Sequence, residues 1–209
     1  MEAVKKNIWF TSDTHFGHKN IVKGTSEWDL TGTHQRTRDF ATLEEHNYNL
    51  VKSINAVVKS EDILYHLGDW SFGGHSNIKT FRDQLACQEI HLIFGNHDQH
   101  IEPIDSPYRS LFASCSHVKQ ISMHVDGKYG VVGKQKFFLS HYSHRVWNQS
   151  HHGVIHLYGH SHATLPGLGR SMDVGVDTNN LFPYHLDEIM TIMSKIPVKI
   201  VDHHNQNTN

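Results

Sequence analysis

Cysteine is almost missing from this chain: Cys87 and Cys115 are the two present in 209 residues. They form no CxxC pair, so a disulfide framework and a thiolate zinc cluster both lack their residues. A reducing compartment, the cytoplasm, is the expectation, with a Cys87–Cys115 bridge as the minor alternative. Long apolar stretches are absent as well. No run approaches the roughly 18 residues of a membrane helix, and the opening Met-Glu-Ala-Val-Lys-Lys carries no apolar secretion segment. Neither a membrane partner nor export is therefore expected. The five prolines are scattered, so nothing reads as a linker. A charge excess is lacking too, because 19 basic against 21 acidic side chains leave a net charge of −2. That excludes the broad positive field on which indiscriminate nucleic-acid binding depends. A single domain over residues 1–201, ending in a polar tail at 202–209, is the simplest organisation.

Histidine, by contrast, is plentiful at 21 residues. Abundance makes metal-like spacings arise by chance, so position along the chain has to separate ligands from bystanders. Ile8-Trp9-Phe10 leads into Asp13-x-His15, and Ile63 to Leu67 into Gly68-Asp69. Ile90 to Phe94 leads into Gly95-Asn96-His97-Asp98, Phe137-Phe138-Leu139 into Ser140-His141, and Val154 to Tyr158 into Gly159-His160-x-His162. Short apolar runs bounded by glycine or polar residues read as strands buried on both faces. Layered α/β folds gather ligands at the carboxyl ends of such strands. Carboxylate, amide and imidazole are donors suited to Mn, Fe, Zn or Ni. A lone Asp-x-His or Gly-Asp is usually a turn; five strand ends each delivering such donors point jointly to a metal site.

Between the runs, Leu43, Asn47, Leu50, Val51, Ile54, Val57 and Val58 share a helical face, with Thr42 and Glu45 as a capping box at its start. Shorter helices are expected over Asn77–Leu85 and Leu186–Lys195, and a hairpin around residues 121–133.

The five motifs in this order resemble the calcineurin-like metallophosphoesterases, in particular the short single-domain members of bacteria and their viruses, over roughly residues 8–177. The resemblance implies an α/β fold: a four-layer β-sandwich of two mixed sheets flanked by helices. It implies a hydrolase with two divalent metal ions, Mn first, with Fe, Zn or Ni as alternatives. Asp13, His15 and His162 resemble the ligands of one ion; Asn96, His141 and His160 those of the other; Asp69 resembles the bridge. A water or hydroxide would be the second bridge and the nucleophile. His97 resembles the acid that serves the leaving oxygen, and Asp98 its orienting partner. One departure is that Trp70-Ser71-Phe72-Gly73 lacks the acid many relatives carry shortly after Gly-Asp.

Substrate contacts have to come from elsewhere in the chain. His18 and Asn20 share the loop of Asp13 and His15, where they either reach a phosphate or form a polar turn. Arg36 and Arg38 suit phosphate oxygens or simply solvent. Arg145 and Trp147 either hold a nucleotide or belong to a lid packed by its own tryptophan. His144 offers a second histidine beside His141, and Asp173 and Asp177 lie either near the site or at loop ends. A small phosphodiester, nucleotide-type substrates included, is favoured. The alternatives are a phosphomonoesterase and a non-catalytic interaction module on the same fold.

Overall fold

The computed structural model describes residues 6–26, 34–125, 127 and 129–202. The expected polar tail, apart from Asp202, lies outside the described residues. Four parallel strands come first: β1 (Ile8–Thr11), β2 (Ile63–His66), β3 (Glu89–Ile93) and β4 (Ser114–Ser116). The next four, β5 (Val118–His124), β6 (Lys134–Ser140), β7 (Ile155–Tyr158) and β8 (Ser171–Asp173), form a second sheet in chain order. There β5 and β6 make the expected antiparallel hairpin, paired from Val118↔Ser140 to His124↔Lys134, and β6, β7 and β8 run parallel. The last strand, β9 (Tyr184–His185), returns antiparallel to β1, so the first sheet is ordered β4-β3-β2-β1-β9.

Alternation along the strands builds the layers, because neighbouring side chains point to opposite faces. Tyr65, Ile93, Phe137, Leu139, Ile155 and Leu157 fill the core between the sheets. Leu64, Ile90 and Leu92 point the other way, onto helices α2 (Leu43–Val57) and α3 (His75–Gln84). Of the remaining helices, α1 (His34–Thr37) is a single turn, and α4 (Leu186–Met193) packs Ile189, Met190 and Met193 into the inter-sheet core. The outer face of the second sheet is covered in part by Trp147 and Val154, packed on Phe138.

The face expected of α2 is the one it buries: Leu50 and Ile54 are fully buried, as is Val58 just past its end. Burial of each such aliphatic side chain contributes about 1.5–3 kcal/mol. His46 joins this face, where it serves a buried arginine described below. At the helix start Thr42 Oγ accepts from Glu45 N at 3.1 Å, while the Glu45 carboxylate accepts from Ala41 N rather than Thr42 N. Extended backbone at Val58, φ −87° and ψ 121°, ends the helix. No helix among the described residues is long and apolar enough to cross a membrane.

Candidate metal centre

Five loops leave the carboxyl ends of β1, β2, β3, β6 and β7, and main-chain bonds hold them together. Asp13 N donates to Gly68 O at 2.9 Å, His15 N to Asp69 O at 3.0 Å, and Gly159 N to His141 O at 2.9 Å. His160 N donates to the Asp13 carboxylate at 2.9 and 3.0 Å. Buried His66 locks the first two loops further. Its Nδ1 accepts from Gly68 N, so Nε2 carries the proton and donates to Thr14 Oγ at 2.8 Å, which in turn donates to Trp70 O at 2.7 Å. Burial pushes the His66 pKa down to about 3, so the ring is neutral at ordinary pH. Close approach explains Gly68: at φ +101°, a Cβ would sit 2.6 Å from both Gly95 N and His141 Nδ1.

The backbone is strained where donors emerge. Asp13, His15, Asp69, His160 and His162 all have left-handed φ, between 44° and 65°. Each such residue costs on the order of 1–3 kcal/mol and persists where the surroundings over-determine it, as they do at functional sites. The result is convergence of side chains from both sheets. Ligand atoms of Asp13, His15 and His162 lie within 4.8 Å of one another, and so do those of Asp69, His141 and His160. Asp69 Oδ2 stands between the groups, 3.4 Å from His15 Nε2 and 3.5 Å from His141 Nε2. Asn96 Oδ1 lies 3.1 Å from His141 Nε2 and 3.0 Å from His160 Nδ1.

Hydrogen bonds behind the rings select the tautomers that leave a lone pair facing inward. His141 Nδ1 faces Leu67 O at 2.7 Å and so carries the proton. His162 Nδ1 donates to Asp177 Oδ2 at 2.7 Å, which leaves its Nε2 as the donor atom. His15 is the decisive case. The residue is 2% exposed, and neither ring nitrogen has a hydrogen-bond partner. A buried imidazole without partners costs about 1–3 kcal/mol; a divalent ion at Nε2, shared with Asp13 and His162, would remove that cost. Electrostatics agree, since burial pushes Asp13 up to about 7 and His15 well below the ordinary histidine value. His141 rises to about 9 in the metal-free chain, because the pull of Asp69 overrides its burial, so its Nε2 holds a proton that a cation would displace. A carboxylate too buried to ionise freely and an unpartnered neutral imidazole are what a cation would stabilise. The donor set therefore fits two divalent ions.

The other expected residues divide. His18 is brought to the site, its ring 5.5 Å from that of His15 and stacked on Phe72 at 3.9 Å. Asn20 follows in a short 3-10 turn, its Oδ1 buried. Arg36 and Arg145 are exposed. Arg38 does not reach toward substrate: it is fully buried, its guanidinium bound to both Asp177 oxygens at 2.9 and 3.0 Å and to the carbonyl oxygens of Asp13 and Thr14. Trp147 does not offer a free stacking face. It is 8% exposed and donates to Val154 O at 2.9 Å, so it packs its own segment. Asp98 does not orient the His97 ring; its buried carboxylate accepts from the main-chain nitrogens of Gly95, Asp69 and Trp70 at 2.8–3.0 Å and ties two ligand loops together. Asp173 caps its loop by accepting from Ala163 N and Gly175 N, and His144 N donates to His156 rather than toward the donor set. No spacing in the chain pointed to the Arg38–Asp177 pair or to the Thr14–His66 lock, whose partners lie 139 and 52 residues apart.

The fold and this donor arrangement are those of a metal-dependent hydrolase, and the comparisons agree. The chain belongs to the calcineurin-like phosphoesterase family, which matches residues 6–208. It is 29% identical over 201 residues to an uncharacterized protein of Methanocaldococcus jannaschii, spanning 91% of this chain and 93% of that one. It is 27% identical over 180 residues to the gene 66 protein of Mycobacterium phage L5, spanning 76% and 79%. A solved protein of unknown function from Aquifex aeolicus shares the fold at TM-score 0.59 and 19% identity, over 90% of this chain and all of that one.

Proposed function

We propose that this protein hydrolyses a phosphodiester, with nucleotide-type substrates favoured, using two divalent ions of which manganese is the first to test and iron, zinc and nickel the next. The observation that carries the reading is buried, unpartnered His15 facing Asp69, with one donor cluster on either side of that carboxylate. Asp13, His15 and His162 would hold one ion, Asn96, His141 and His160 the other, and Asp69 both. When bound, the ions would supply a water of lowered pKa and positive charge to offset the negative charge building on the phosphate.

The remaining steps belong to the chain. His97, whose main-chain N donates to Asp69 Oδ1 at 2.9 Å, is fixed beside the donors with its ring free to protonate the leaving oxygen. Asp98 sets that position by gripping the Gly68–Trp70 and Gly95 main chains. His18 borders the opening as a neutral donor, its pKa lowered to about 4 chiefly by burial. The one arginine beneath the site, Arg38, is spent on Asp177, which favours a singly charged diester over a doubly charged monoester. The test is hydrolysis of bis(4-nitrophenyl) phosphate and 4-nitrophenyl phosphate by chelator-stripped protein with single metals restored. Faster turnover of the diester is expected. Faster monoester turnover would replace the diester reading with a phosphatase, and metal binding without turnover of either would favour an interaction module.

A further inference from the structure

A cavity of about 240 Å³ opens beside His97, walled by Phe72, Ile78, Gln99, His100 and Ile101. Its link to the chemistry is direct, because His97 also shares a 4.8 Å donor cluster with His15 and Asp69. Phe72 and His97 meet in a T-shaped contact at a centroid distance of 5.3 Å, and Phe72 remains 37% exposed. Among the described residues, no lysine, arginine, aspartate or glutamate lines the cavity. Beyond Gln99 and His100 the surface continues as an open groove. There His75 lies 4.4 Å from His100 and stacks on Tyr108 at 5.3 Å, and among the described residues the one charged side chain is an acid, Asp105.

We infer that this cavity receives the leaving group of the substrate, and that it takes an uncharged ring-bearing alcohol of the nucleoside kind. The inference rests on the phosphoesterase reading and adds to it the side on which the departing alcohol sits and its chemical class. Size supports one ring system, since 240 Å³ falls below the roughly 300–1,000 Å³ of pockets that enclose a whole drug-sized ligand. Ring walls stack planar groups of any sequence, because every base has a π face. The missing cations exclude a leaving group that carries its own phosphate or carboxylate, whose desolvation nothing here would offset. In the step itself the phosphorus–oxygen bond to the alcohol breaks as one to a water oxygen forms. One water proton goes to solvent, the alcohol oxygen leaves with a proton delivered by His97, and His97 regains a proton from solvent.

Two measurements test this. The first compares methyl 4-nitrophenyl phosphate with methyl 3-carboxy-4-nitrophenyl phosphate, whose leaving phenols differ by one carboxylate, under manganese. At least a tenfold preference for the neutral phenol is expected. The second needs no metal: saturation-transfer NMR of chelator-stripped protein with adenosine and with ribose. Adenosine should bind and ribose should not, and Phe72→Ala and the exposed His100→Ala should each weaken adenosine about fivefold or more, as loss of one stacking ring does. Equal hydrolysis of the two diesters, or adenosine binding indifferent to both variants, overturns the cavity assignment and leaves the phosphoesterase reading standing. Hydrolysis of neither diester with manganese, iron, zinc or nickel overturns the phosphodiester reading and the leaving-group role with it.

Discussion

Asp177→Asn is the most informative single change, because it removes one charge from the Arg38–Asp177 pair while keeping the side-chain shape. Both side chains are fully buried, and Arg38 is bound on all sides by Asp177, two carbonyl oxygens and His46. Burial alone would raise the Asp177 pKa, yet Arg38, aided by His162, lowers it from 3.8 to about 2. A shift of that size corresponds to roughly 2 kcal/mol of stability at neutral pH. Substitution costs more, because the guanidinium stays behind with no counter-charge, and breaking one side of a buried pair costs about 3–5 kcal/mol. The larger figure should govern. For a chain of this length each kcal/mol moves Tm by about 2–4 °C, so calorimetry of metal-free protein at pH 7 should show a fall of about 6–20 °C.

The pH dependence has a definite sign. The folded pKa of Asp177 is depressed, so its contribution is complete above 3.8 and is lost as pH falls toward about 2. The gap between wild type and Asp177→Asn should therefore be full at pH 6–7 and shrink below pH 4. The same variant weakens the acceptor that orients His162, which should lower metal affinity about 10- to 100-fold by titration calorimetry. A Tm within 2 °C of wild type, or a gap independent of pH, would refute the idea that this pair anchors the site.

Three further outcomes are expected. Asp69→Asn should lower metal content and turnover together, whereas His97→Ala should keep both ions by elemental analysis and lose most turnover; an active His97→Ala enzyme would sink its role at the leaving oxygen. Gly68→Ala should cost several kcal/mol in chemical denaturation, since it combines φ +101° with a Cβ 2.6 Å from Gly95 N and His141 Nδ1. Asp62, far from the donors, accepts from the main-chain nitrogens of Asn7 and Lys59 and from the side chains of Asn7 and Trp9, and these bonds outweigh burial to hold its pKa below 3.8. Asp62→Asn should then destabilise by about 1–3 kcal/mol at pH 7, and denaturant midpoints should converge as pH falls through the depressed pKa.

The donors were legible in the primary structure because each follows a short apolar run bounded by glycine or polar residues, which reads as a buried strand, and five such runs end in the same kinds of donor. Period-2 and period-3.6 patterns likewise placed the hairpin and α2, since side-chain direction along a strand or helix follows from local backbone geometry alone. Asp98 and Arg38 depart from that local reading, and Trp147 takes the self-packed alternative it left open, for a common reason. Each spends its polar atoms on a main-chain group or carboxylate whose nearness is set by sheet packing. The Asp98 carboxylate meets Asp69 N and Trp70 N because β2 and β3 are neighbours. Arg38 meets Asp177 because the loops beyond β1 and β8 bridge between the two sheets. Residue type and spacing therefore determined which atoms could hold metal, while packing of one sheet on the other decided which polar groups face the donor clusters and which are buried beneath them, because burial and pairing are properties of contacts that no single segment contains.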